Sequence, residues 1–193
     1  MTHLATSLYM LGMGEAPLEK LNQFRDLLLQ WNRRINLSAA RAPDEVEEHI
    51  EDSLHAIPHL RGATRVIDVG SGGGFPVVVA AICLPAQSFT ALEPVHKKHA
   101  FLRTAARELE LANLDPLARR VEDHADRDYD AASSRATFDL REWLLLGADL
   151  VRPGGLVLGF EAAPRDDLPE PTERHPYALG GKQRSIVVFR RPA

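Results

Sequence analysis

The strongest chemical signal in this chain is a glycine cluster led by an acid, Asp68-Val-Gly70-Ser-Gly72-Gly-Gly74, which directly follows the short apolar run Arg65–Val69. Glycines between a strand and a helix permit a tight turn and a close approach of the backbone to a ligand. Glu93 ends the next apolar run, about 20 residues beyond the loop, where an acid can accept hydrogen bonds from ribose hydroxyls. Glu122 follows a third predicted strand, beside the place for an adenine. The three positions together predict a nucleoside cleft at the carboxyl ends of adjacent strands.

The spacing of the loop separates two nucleoside ligands. A dinucleotide fingerprint has the pattern G-x-G-x-x-G, which places a pyrophosphate at a helix N-terminus. Here the glycines are Gly70, Gly72 and Gly74, and Asp68 precedes them. A carboxylate beside the loop would repel a pyrophosphate, but it suits the amino group and the sulfonium of S-adenosylmethionine. We therefore predict S-adenosylmethionine as the cofactor, with S-adenosylhomocysteine as its product, and no binding of NAD.

The elements that must position this cleft alternate between strand and helix, which favours a parallel sheet with right-handed crossovers. Strands are predicted at 65–69, 88–92, 117–121, 129–134 and 156–160, and helices at 17–35, 43–57, 76–83, 95–111 and 138–150. Residues 1–16 are expected to form a loose lead-in, 153–155 a turn, 163–176 a loop, and 177–189 a hairpin around Gly180-Gly181. The pattern predicts an α/β fold of the class I Rossmann-like methyltransferase type. It forms one domain, 1–193, with a helical N-terminal cap (1–60) on a Rossmann-like core (61–193).

Composition narrows the function classes. The 193 residues are 45% hydrophobic and 26% charged, which fits one globular domain with a substantial core. We see no secretory signal, no membrane span and no disulfide, since Cys83 stands alone, and we expect a cytoplasmic monomer. His96 and His99 lack partners at metal-ligand spacing, so we predict no metal. The formal charge of −4 argues mildly against a dedicated nucleic-acid binder.

Several short motifs in order resemble the bacterial 16S ribosomal RNA guanine-N7 methyltransferase family, also called methyltransferase G or glucose-inhibited division protein B. The resemblance runs from about residue 20 to the end, and its landmarks are Trp31-Asn32, Asn36-Leu37-Ser38, His49-Ile-Glu-Asp52-Ser53, Val66–Pro76, Phe101-Leu102-Arg103, Arg120-Val-Glu122 and Ser134-Arg135-Ala136. It implies methyl-donor contacts at Gly70, Phe75, Val121, Glu122 and Arg135. The implied partner is 16S ribosomal RNA in the small ribosomal subunit, and the implied reaction is methylation of guanine N7.

Two residues carry the sharpest expectations from this resemblance. Arg135 is assigned to the catalytic site as an anchor for the donor carboxylate or a substrate phosphate, the alternative being a surface ion pair with Asp126, Asp128 or Asp130. Glu161 stands where the family usually has a lysine, so we expect reversed local charge and weaker RNA binding. Guanine N7 presents a free lone pair, so its methylation needs positioning rather than a general base. The alternatives are a class I methyltransferase acting on a protein or small molecule, and a donor-binding homologue without turnover.

Overall fold

In the computed structural model, which describes residues 3–193, a seven-stranded sheet forms the centre of the molecule. Its order is β3-β2-β1-β4-β5-β7-β6, parallel from β3 through β5, with β7 antiparallel to both of its neighbours. The strands are β1 Arg65–Val69, β2 Ser88–Leu92, β3 Leu114–Leu117, β4 Tyr129–Ser133, β5 Val151–Glu161, β6 Thr172–Leu179 and β7 Lys182–Arg190. The predicted mixed sheet with its C-terminal hairpin is confirmed.

Seven helices are present among the described residues: α1 His3–Met10, α2 Ala16–Asn32, α3 Pro43–Leu54, α4 Ile57–Leu60, α5 Val77–Cys83, α6 His96–Glu108 and α7 Leu140–Ala148. Helices α1 to α4 form the cap, which packs on α5 and α6 through Phe24, Trp31 and Phe101. Helix α7 covers the other face of the sheet, where the Trp143 indole donates a hydrogen bond to the Leu158 carbonyl. None of the helices in residues 3–193 is long and apolar enough to cross a bilayer.

Four boundaries differ from the sequence-based predictions. The lead-in contains an eight-residue helix, α1, where a loose segment was expected. The third strand occupies Leu114–Leu117 rather than 117–121. Strand β5 begins at Val151 and runs through the predicted turn at 153–155, and strand β6 begins at Thr172, inside the predicted loop.

The strand order reverses direction beside β1. The chain proceeds from β1 to β2 and β3 on one side, and then returns to β4 on the other. The crevice at the carboxyl ends of β1 and β4 is therefore the topological switch point, where open α/β sheets bind ligands.

Candidate functional site

The glycine loop occupies this crevice in a conformation that only glycine adopts readily. Gly70 and Gly72 have φ of +73° and +51°, in the left-handed region that costs other L-residues roughly 1–2 kcal/mol. A Cβ on Gly70 would lie 2.3 Å from the Thr137 hydroxyl oxygen, whereas a Cβ on Gly72 would meet no atom closer than 3.7 Å. Gly72 therefore leaves the backbone open to a ligand, while Gly70 lets the loop after β4 approach.

Asp68 is a buried acid with one oxygen that lacks a partner. Its side chain accepts a 2.7 Å hydrogen bond from the Ser133 hydroxyl at Oδ1, while Oδ2 has no hydrogen-bond partner. Burial raises the pKa of Asp68 to about 6 from the ordinary 3.8. A buried carboxylate oxygen without a donor is costly. A ligand ammonium would satisfy it.

Glu93 supports the same loop from its far side. Its two carboxylate oxygens accept hydrogen bonds from the backbone N–H of Gly72 and of Val95, both 2.8 Å long. The side chain is buried, as expected for an acid that anchors a loop. Each oxygen keeps a second lone pair, so the carboxylate can hold the loop and still accept a hydrogen bond from a ribose hydroxyl.

A cavity of about 480 Å³ opens over the loop, within the usual size of small-molecule pockets. The predicted site residues Gly70, Gly72, Phe75 and Arg135 lie together in its wall. The cap contributes Leu37–Ala39, His49 and Asp52, the end of β5 contributes Phe160–Ala162, and the hairpin contributes Tyr177 and Arg184.

Val121 and Glu122 do not line this cavity, and neither do Asp68 and Glu93. Val121 is buried and Glu122 exposed, in the loop that follows β3. Since β3 pairs with β2 on the side away from β4, Glu122 lies beyond Glu93 as seen from the cavity. Of the predicted site residues, the structure therefore brings Gly70, Gly72, Phe75 and Arg135 together in one cavity and leaves Asp68, Glu93, Val121 and Glu122 outside its wall.

Arg135 follows β4 and points into the cavity wall. Its guanidinium donates a 2.9 Å hydrogen bond to Asp52 Oδ2, lies 4.8 Å from the centre of the Phe75 ring, and is 15% exposed. Burial lowers the pKa of Arg135 while the charge of Asp52 raises it, and an arginine remains protonated under both influences. The alternative of a surface ion pair with Asp126, Asp128 or Asp130 does not hold.

Asp52 is the residue that joins the cap to the cleft. Besides Arg135 it binds the Tyr177 hydroxyl at 2.7 Å and the Arg184 guanidinium at 3.3 Å, both through Oδ1. Tyr177 stacks on His55 at 3.8 Å between ring centres. In the sequence Asp52 was only part of a family landmark, because its partners lie 83 to 132 residues away along the chain and gave no local signal.

Glu161 does not present a free negative charge. Its side chain is 1% exposed and forms a 2.9 Å ion pair with Arg174, and the backbone N–H of Arg165 donates to it at 3.0 Å. The expected reversal of charge is therefore largely offset by Arg174. Glu161 fixes the loop after β5 to strand β6.

The single cysteine and the possible metal ligands also bear on the chemistry of the site. Cys83 is buried and its burial raises the pKa of the thiol to about 12, so it is a core residue rather than a nucleophile. Across residues 3–193, no three His, Cys, Asp or Glu side chains gather in an arrangement that would hold a metal ion.

Comparison with known proteins identifies a family whose members are similar to this chain. The sequence profile described as rRNA small subunit methyltransferase G matches residues 17–192. Proteins named ribosomal RNA small subunit methyltransferase G are similar over almost the whole chain: that of Aromatoleum aromaticum is 37% identical, covering 94% of this chain and 93% of its own, and that of Azoarcus sp. is 38% identical, covering 97% and 95%.

Comparison with solved structures identifies proteins of the same fold. The S-adenosylmethionine-dependent methyltransferase SibL in its apo form superposes with a TM-score of 0.63 at 18% identity, covering 91% of this chain and 70% of its own. The O-methyltransferase TomG of Streptomyces achromogenes, in complex with SAM, superposes with a TM-score of 0.61 at 15% identity, covering 89% and 90%. The predicted class I methyltransferase fold is confirmed.

Proposed function

This chain belongs to the rRNA small subunit methyltransferase G family, and from that premise we propose that it transfers a methyl group from S-adenosylmethionine to N7 of a guanine in 16S ribosomal RNA. The family relation at 37% identity over 94% of the chain supports the substrate class. The single structural observation that carries the proposal is the cavity in which the glycine loop, Arg135 and the cap residue Asp52 meet. We place the enzyme in the cytoplasm, acting as a monomer of one domain on the small ribosomal subunit.

The residues present fit the donor. Asp68, buried at the start of the glycine loop outside the cavity wall, supplies a negative charge that suits the donor's ammonium, and the guanidinium of Arg135, in the cavity wall, suits its carboxylate. Glu93, buried behind Gly72, suits the ribose hydroxyls, and Val121 with Glu122 suits the adenine end. Phe75 lies against the Arg135 guanidinium, 4.8 Å from its ring centre, and forms part of the cavity wall beside it.

The acceptor base has a separate approach to the same cavity. Leu37–Ala39 of the cap and Phe160–Ala162 at the end of β5 both contribute to its wall. A purine inserted between them would bring its edge toward the glycine loop, with Phe160 available for contact with the base face.

Methyl transfer to guanine N7 requires the protein mainly to position the two reactants. The donor supplies an electrophilic methyl group on a sulfonium. The guanine N7 lone pair forms the new N–C bond as the C–S bond breaks, and the positive charge passes from sulfur to the purine, so no proton moves. A fixed, partly buried site that aligns N7 with the methyl carbon is sufficient. None of the residues above is assigned the role of a nucleophilic thiol or of a general base, and this reaction needs neither.

Calorimetry and transfer of labelled methyl groups test the proposal. We expect the protein to bind S-adenosylmethionine but not NAD, and to label a 16S rRNA transcript but not a 23S transcript of equal length. Gly72→Val should abolish donor binding, because a branched residue cannot adopt φ of +51° and would fill the open space before the loop. Binding of NAD alone, or labelling of a protein fraction instead of RNA, would contradict the proposal.

A further inference from the structure

We propose that the outer face of α6 is the docking surface for the RNA strand that flanks the target nucleotide. This inference rests on the proposed function, since it concerns how the same enzyme holds its substrate. It starts from a charge problem: the chain carries a net charge of −4, yet affinity for RNA comes mainly from cations that neutralise phosphates. A local group of unpaired cations must therefore exist on one surface.

Helix α6 provides that group. Lys97, Lys98 and Arg103 form no ion pair within residues 3–193, and the partner of Arg107 is its exposed neighbour Glu108 at 2.8 Å. Six other arginines already form ion pairs with acids of the described chain: Arg25, Arg135, Arg152, Arg165, Arg174 and Arg184. Lys97, Lys98 and Arg103 are therefore free to bind an external anion, while Arg107 is held by an exposed neighbour on its own helix.

The shape of this face suits an extended strand. Ala100, Arg103, Thr104 and Arg107 surround a groove of about 320 Å³. Arg103 and Arg107 also border a second groove, of about 450 Å³, whose other lining residues are Ala106, Glu110, Leu111, Ala112 and Pro116. Spacings of three and four residues place this set on one side of the helix.

The groove runs along the solvent side of α6, opposite the buried Phe101, Leu102 and Ala105. The first turn of the same helix reaches the catalytic cavity, where Lys98 lines the wall, although at 3.6 residues per turn Lys98 lies on the other side of the helix, about 180° from Arg107. The cap adds Arg33 and Arg34, which are exposed and unpaired in the described part of the chain. They follow α2 close to Trp31, which packs edge-on against Phe101 of α6.

The composition of the face favours RNA over a protein partner. The cores of protein interfaces are rich in aromatic and large apolar side chains, and the large hydrophobic residues exposed on this molecule, Tyr9, Met10, Val95 and Leu145, do not line either groove. A charged groove floored by small residues is suited to a phosphodiester backbone. Arg103 and Arg107, with Lys98 at the cavity, would each contact a phosphate.

The test is the salt dependence of binding to a 16S rRNA transcript. We expect Arg103→Gln/Arg107→Gln to lower affinity at least tenfold at low salt and to reduce the slope of log K against log salt by about 1.4, since two phosphate contacts are lost. Donor affinity should not change. The matched control is Arg190→Gln, an exposed arginine on β7, which lies at the other end of the strand order from β3 and next to the edge strand β6; this variant should keep wild-type affinity and slope.

The outcomes separate the docking surface from the function. If wild-type protein methylates the transcript and the double variant binds it with unchanged affinity and slope, the surface is wrong while the function stands. If wild-type protein binds the donor but neither binds nor methylates the transcript, the proposed function fails and the surface with it. If polyglutamate binds the groove as tightly as RNA at equal charge, the groove serves an acidic protein instead.

Discussion

Arg135 is the residue on which the account of the site depends most. In the structure its guanidinium lies between the Asp52 carboxylate and the Phe75 ring. A flat, delocalised cation can hold both contacts and still offer N–H groups to a donor carboxylate, which a compact ammonium cannot do. The guanidinium geometry, beyond the positive charge, is therefore expected to matter.

Arg135→Lys should lower methyl transfer at least tenfold. The lysine keeps the charge near Asp52, so the protein should remain folded, but it loses a charge-assisted hydrogen bond worth roughly 1.5–3 kcal/mol. Donor affinity, turnover and melting temperature measured on the same variant separate these effects. Full turnover in the lysine variant would show that only the charge is needed.

The titration of Asp68 makes the stability of the folded protein depend on the pH of the solution. The folded-state pKa of about 6 lies above the ordinary 3.8, so the contribution of this group to stability is fully present below pH 3.8 and is lost as pH rises through 6. The shift of the Asp68 pKa corresponds to about 3 kcal/mol. This is the amount by which folding disfavours the charged form of the carboxyl group relative to its neutral form. The buried carboxylate therefore lowers stability at neutral pH.

We expect Asp68→Asn to increase the free energy of unfolding at pH 7.5 by about 1–3 kcal/mol, because the buried charge is removed. The same variant should bind S-adenosylmethionine at least tenfold more weakly. In the wild type, donor affinity should fall as pH drops below 6, and in the variant it should not. Denaturant unfolding and calorimetry from pH 5 to 8 test this, and equal donor affinity in both proteins would remove Asp68 from the site.

Glu161→Lys is expected to destabilise the protein rather than to strengthen RNA binding. A lysine would lie beside Arg174 in a place where the present side chain is 1% exposed, and the loss of its hydrogen bonds costs about 1–3 kcal/mol. The sequence alone suggested the opposite, because it does not show the pairing with Arg174. Thermal melting checks the expectation, with Glu173→Lys, an exposed acid on β6 next to Arg174, as the control. Tighter RNA binding by a fully stable Glu161→Lys protein would contradict it.

At the scale of elements, one contact ties the cap to the C-terminal hairpin. Tyr177 of β6 donates to Asp52 of α3 and stacks on His55. Burial and Asp52 both raise the pKa of Tyr177, so the hydroxyl remains a donor at every physiological pH. The cap is thus held over the cavity by a strand that is distant in sequence.

Tyr177→Phe should loosen this connection without emptying the core. The lost hydrogen bond to a charged group is worth roughly 1.5–3 kcal/mol, and the ring remains to stack on His55. We expect faster hydrogen exchange in α3 and β6 and unchanged exchange in β1 and β2. Uniform acceleration across the sheet would mean that the contact supports the whole fold instead of the cap.

The elements that the sequence misplaced share a physical cause. Pro116 in β3 and Pro176 in β6 both argue against a strand, but β3 and β6 are the two edges of the sheet, where a missing N–H is tolerated. In β5 the Pro-Gly-Gly segment is absorbed by a register shift, since Tyr129 pairs with Val151 but Ala131 with Leu156. The central strands β1 and β2 were predicted to the residue, because burial on both faces makes them continuous apolar runs.

The site was predictable to the extent that its residues lie at strand ends. Asp68, Glu93 and Arg135 each follow or end a parallel strand, and the parallel topology brings those ends to one edge. Asp52, Tyr177 and Arg184 gave no such signal, since their meeting depends on how the cap and the hairpin close over the sheet. Arg174 likewise became visible as the partner of Glu161 only in three dimensions.

At the scale of the whole molecule, distribution of charge matters more than its sum. The net charge of −4 coexists, within the described residues, with cations that form no ion pair on α6 (Lys97, Lys98 and Arg103) and after α2 (Arg33 and Arg34). A localised field of this kind steers a polyanion to one face and leaves the rest of the surface repulsive. The acidic composition and an RNA substrate are therefore compatible.

The most direct test of the account is to map 7-methylguanosine by mass spectrometry in 16S ribosomal RNA from cells with the gene, without it, and with the Arg135→Lys variant in its place. We expect one guanosine to carry the N7 methyl group in the first strain, to lack it in the second, and to carry it at a strongly reduced level in the third. A 16S methylation pattern that is identical with and without the gene would contradict the central claim that this chain is an rRNA guanine-N7 methyltransferase.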